Sequence, residues 1–153
     1  MLSNTFNQTA ANDNTDTQKM MRDARINALV KSLPSLLKRK NTDDVLDWLV
    51  EYNALSTQAQ PENKELNLLV YGAFVGAGYK SDAYEGDSSI KTNKSAMGLY
   101  IIGRSMVHLS KGRGMSQVIM EDYVLKYRKI KDKNNSNTAK IRRYLRKNRK
   151  KRG

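Results

Sequence analysis

The segment TAKIRRYLRKNRKKRG, Thr138 to Gly153, sets nine Lys or Arg among sixteen residues. These are Lys140, Arg142, Arg143, Arg146, Lys147, Arg149, Lys150, Lys151 and Arg152. Such a run engages phosphate. Arg offers planar guanidinium forks that can also stack on bases, whereas Lys supplies mainly point charge. Ile141, Tyr144 and Leu145 recur at i, i+3 and i+4, so the segment has a helical stripe. Like charges oppose that helix in isolation, and a polyphosphate partner relieves the repulsion, so folding on binding is expected. The plainer reading is a solubilising tail, or an import signal at Lys147 to Arg152.

A second anion site is expected at the turn Lys111-Gly112-Arg113-Gly114, ahead of a helix that Ser116 opens. Glycines expose backbone N–H groups, and a helix N-terminus favours negative charge. Lys111 and Arg113 add two cations. The helices on either side also suggest a helix-turn-helix, with Ser116 and Gln117 where a base edge is read. Glu121 and Asp122 argue against it, since both would face phosphates.

Catalytic constellations are thin, and an enzyme is not expected. His108 is the only histidine, with Arg104 one turn away and no acid at helical spacing. Asp43, Asp44 and Asp47 read as helix-start acids rather than a metal site. Asp82, Glu85 and Asp87 lack the ligand spacing of a calcium loop. The chain has no cysteine, which excludes disulfides, cysteine zinc fingers and thiol catalysis. Neither cofactor nor metal is expected. Tyr123 and Tyr127 border the basic region, where they would stack on unpaired bases or simply pack.

Charge is sharply partitioned along the chain that must hold these groups. Residues 126–153 contain fourteen basic residues and one acid, Asp132, a balance of +13. Residues 1–125 carry fourteen of each sign and sum to zero. A neutral body ending in a polycation is an electrostatic device suited to a phosphate polymer. At 153 residues the chain suits one domain with appended tails. Three parts are expected: a disordered arm at 1–16, a helical domain at 17–130, and a basic tail at 131–153. The N-terminus has neither a basic nor an apolar region of secretory type. No apolar run approaches the roughly 20 residues of a membrane span. A soluble, intracellular protein with no membrane contact is expected, in cytoplasm or nucleoid or within a virion.

Periodicity predicts an all-α bundle of about five or six helices. The first begins near Thr17, capped by Thr15 or Asp16, with Met20, Met21, Ala24, Leu29 and Val30, and less regularly Ile26, at a helical period; Pro34 ends or kinks it, and a short continuation runs from Ser35 to Lys40. The second opens at Asn41 or Thr42 and sets Val45, Leu46, Trp48, Leu49, Tyr52 and Leu55 on one face, with Trp48 buried. The third starts at Pro61, stops at Gly76 and Gly78, and is apolar all round, the mark of a central helix. Residues 79–93 read as a long loop. Helices from Asn93 to Ser110 and from Gln117 to about Lys131 follow, and Thr138 caps a last basic one.

Non-enzymatic binding of nucleic acid through the C-terminal segment is the expected function, with Lys111 and Arg113 as a lesser contact. The body is expected to hold a protein partner or a second copy. The alternative is a structural component of a large particle, a phage virion or ribonucleoprotein, whose body docks on protein while its tails thread between neighbours.

Overall fold

The computed structural model describes residues 2–58 and 63–131, with side chains from Asp16 onward, and they form an all-α fold without strands. Five helices pack together: α1 (Leu2–Arg39), α2 (Thr42–Gln58), α3 (Lys64–Gly76), α4 (Lys94–Leu109) and α5 (Gln117–Lys129). A single 3-10 turn, Ser88–Lys91, precedes α4. Residues 132–153, and with them the expected Thr138 helix, lie outside the described residues, as does Pro61.

α1 departs from expectation at its start. Its backbone is helical from Leu2, through the stretch read as a disordered arm, so neither Thr15 nor Asp16 caps it. That stretch is polar but contains no Gly or Pro, and extending an existing helix fixes only one residue per added hydrogen bond. Pro34 lies inside the helix, which continues beyond it to Arg39. The buried row Ile26, Leu29, Leu33, Leu36 and Leu37 continues across it, so packing on both sides outweighs the lost N–H. The apolar row expected on α1 is only partly buried, for Met20 and Met21 are about 70% exposed. Pro34 has no N–H to offer the Val30 carbonyl, and one residue earlier the Leu29 carbonyl accepts the Trp48 indole N–H at 2.9 Å.

α2 is as expected. The Asn41 side chain accepts the Asp44 N–H at 3.1 Å, which caps its start. Val45, Leu46, Trp48, Leu49 and Tyr52 are buried. Trp48 stacks on Tyr52 with ring centroids 4.9 Å apart.

The central helix is α4, not α3. It packs against α2, α3, α5 and the 3-10 turn, and nine of its sixteen residues are buried. Small residues at Ala96, Gly98, Gly103 and Ser105 let neighbours close in on several sides. At Gly103 a Cβ would sit 2.8 Å from the Ser81 carbonyl, so the 79–87 segment lies directly on the α4 backbone. The 79–93 connection is consequently a packed sequence of turns ending in the 3-10 turn, rather than a structureless loop. α3 is peripheral. It leans on α1 and α4 through Val70 and Phe74 and leaves Leu68, Leu69 and Val75 exposed. Its apolar run exceeds what one buried face requires.

Candidate nucleic-acid interface

The described part of the basic region converges on one groove. Ile90 and Lys91 of the 3-10 turn, Met97 and Tyr100 of α4, and Tyr123, Lys126, Lys129, Ile130 and Lys131 at the end of α5 enclose about 640 Å³. Helical spacing explains part of this, since Lys126 and Lys129 stand at i and i+3 on α5 and Ile130 follows as its cap residue. Another part arrives from residues 90–100, brought alongside by the packing of α4 on α5. Asn93 caps α4: its side chain accepts the Ala96 N–H at 3.1 Å, two residues after the lysine that ends the 3-10 turn.

Charge on the groove is only partly neutralised. Lys126 pairs with Asp122 one turn back at 3.0 Å. Arg128, on the next face of α5, pairs with Asp47 of α2 at 3.2 Å. Among the described residues Lys91 and Lys129 form no ion pair, so their ammonium groups face solvent and whatever enters. Tyr100 and Tyr123 meet edge to face, centroids 5.9 Å apart and planes at 87°. Burial, and next the neighbouring Tyr123 phenol, push the Tyr100 hydroxyl above its ordinary pKa. The Tyr100 phenol is therefore neutral at pH 7.

Tyr127 is not available for stacking. Its ring is buried, its hydroxyl donates to the Asp43 carboxylate, and the Lys94 ammonium sits 4.9 Å from the ring centroid. Asp43 and Asp47 thus tie α2 to α5, and no group of three His, Asp or Glu side chains among the described residues is placed to hold a metal ion.

Lys111 and Arg113 are exposed at the far end of α4, about 18 Å from Met97 at 1.5 Å per residue. The fold does not bring them into the groove. Three of the four backbone donors of their turn, those of Lys111, Gly112 and Arg113, are taken up in closing α4. The Gly112 N–H donates to Leu109 and the Arg113 N–H to His108, with Gly112 at φ +76° as the left-handed cap residue. The Lys111 N–H also donates to His108. Arg113, Arg104 and Lys111 surround His108, and burial, followed by these cations, lowers its pKa. The imidazole is neutral at pH 7.

Two asparagines that the sequence did not single out hold this turn. The Asn53 amide donates to the Met115 carbonyl and its oxygen accepts the Met115 N–H, each at 2.9 Å. It also donates to Gln117 Oε1 at 2.8 Å. The Asn67 amide donates to the Gly112 carbonyl at 3.1 Å and accepts the Tyr52 hydroxyl at 2.6 Å. Gln117, a base-reading position in the helix-turn-helix reading, is thereby engaged within the body. The exposed face of α5 carries Val118, Ile119, Glu121, Asp122 and Leu125, which suits a phosphate backbone poorly. Ser116 makes no side-chain cap.

The residues Lys140 to Arg152 lie outside the described residues, the last of which, Lys131, lines the groove. No helix among the described residues is long and apolar enough to cross a membrane. Comparison of the chain with protein-family models, curated proteins and solved structures gives no match.

Proposed function

We propose that this is a non-enzymatic nucleic-acid-binding protein. It grips the phosphate backbone with the Arg/Lys segment 140–152 and with the lysines at the end of α5. The observation that supports this best is the placing of Lys91, Lys126, Lys129 and Lys131 around one groove at the point where the polycation begins. A ligand that follows the tail meets further cations on the body instead of the acids that balance charge elsewhere. Lys111 and Arg113 contribute a separate, weaker contact at the other end of α4.

Salt dependence tests it. A polycation that displaces counterions gives log K falling linearly with log salt, with a slope of roughly −5 on duplex DNA if about six phosphates are engaged. Replacing Arg142, Arg143 and Arg146 together by Ala should reduce that magnitude by about two to three, equally for unrelated sequences. Affinity that ignores salt, or that follows one base sequence, would refute the polyelectrolyte mechanism.

A second reading, a component of a larger particle with the body docked on protein or on another copy, is favoured by α3. Leu68, Leu69 and Val75 stand exposed on its outer side, with Gly72 and Gly76 between them unopposed by any neighbour. Leu69→Glu should leave the melting temperature unchanged but disperse any assembly seen by native mass measurement.

A further inference from the structure

We propose that the groove between the 3-10 turn, α4 and α5 receives an unpaired base, so that the body selects single-stranded over duplex nucleic acid. This rests on the phosphate-binding reading above and names its substrate class.

The groove is two-sided in chemistry. Its walls are Ile90, Met97, Ile130 and the paired tyrosines, whereas its rim is lysine. A free phosphate needs only the rim. A nucleotide uses both, with its flat base against apolar and aromatic walls and its phosphates among the ammonium groups. At about 640 Å³ the space falls in the range of small-ligand sites. The right angle between Tyr100 and Tyr123 matters, because the ring that offers its edge keeps both its faces free of that partner. Bases stack on such faces whatever their identity, which gives strand selectivity without sequence preference. A duplex keeps its bases stacked inside and presents only phosphate, so it can occupy the rim alone. Other occupants fit less well. The chain's own C-terminal segment is cationic and would be repelled by the lysines, and a second copy would bring the same lysines against them.

The test uses the full chain, with fluorescence anisotropy at fixed salt against oligothymidylate and against a duplex of equal phosphate number. Tyr123→Leu keeps apolar bulk but removes the π face. It should weaken single-strand binding about tenfold and duplex binding less than twofold, whereas Tyr123→Phe should retain both. Thymidine 5′-monophosphate should shift the ring resonances of Tyr100 and Tyr123. Equal loss for both strand forms, no loss for either, or displacement of oligothymidylate by polyglutamate as readily as by unlabelled strand would overturn base insertion. In each case the phosphate-binding function would stand. If Tyr123→Leu does not fold, unmoved tyrosine signals in the nucleotide titration overturn the inference by themselves. Absence of binding to either strand form at low salt would remove the proposed function along with it.

Discussion

Asn53 and Asn67 show how a polar side chain can be worth more inside a bundle than on it. Each is buried and each satisfies backbone groups of the 112–115 turn that would otherwise be sealed from water. Asn67→Ala strands the Gly112 carbonyl and removes the acceptor of the Tyr52 hydroxyl; Asn53→Ala strands both backbone groups of Met115. Each substitution should cost about 2–3 kcal/mol, read from chemical denaturation. His108 gives a pH signature of the same region. Burial and the surrounding Arg113, Arg104 and Lys111 hold its folded pKa below the ordinary 6.5. Between the two values the unfolded chain binds the extra proton, so stability rises with pH there. The His108 contribution is complete above about pH 6.5 and is lost as pH falls through the folded value. Melts of His108→Gln at constant ionic strength should lose this component of the decline between pH 7.5 and 5.

Among the helices, α2 and α4 carry the fold and α3 and α5 are draped on them. Trp48 marks the seam. It stacks on Tyr52, meets Phe74 of α3 at 6.2 Å, and donates to the Leu29 carbonyl of α1. Trp48→Ala therefore removes contacts to three helices and an indole hydrogen bond together. A loss of about 3–5 kcal/mol is expected, and native emission should be blue-shifted and poorly quenched. α5 was legible as a helix, but its apolar residues do not all face inward. Val118 lies at an apolar position and is 77% exposed, while Met120, Val124 and Tyr127 turn inward. The row expected on α1 is likewise mixed, for Leu29 is buried while Met20 and Met21 are exposed. Periodicity reports that a face exists; a neighbour has to choose which.

Taken as a whole, the molecule separates stability from charge. Within the described residues the core cluster runs from Ile26 to Tyr127. Deleting Lys133 to Gly153 should leave the body folded, with thermal melts of full and shortened chains nearly superimposed. Loss of cooperative unfolding on deletion would place Ile141, Tyr144 and Leu145 in the core instead. The shortened chain should retain a reduced salt slope, since the groove lysines remain.

What the sequence determined by itself was local or additive. The helical class, the α2 face with Trp48 inward, the Asn41 and Asn93 region as helix starts, and the partition of charge all follow from spacing within one turn or from counting. What tertiary structure decided was every relation between distant residues. α4 became central because its small residues admit neighbours, although α3 is the more continuously apolar. The 111–114 turn became a helix cap, because Asn53 and Asn67 reach it from 45 to 62 residues away. Lys91 and Tyr100 joined Tyr123 and Lys129 in one groove for the same reason. Contacts between segments depend on which faces are left to bury once others have packed, and no window along the chain contains that information.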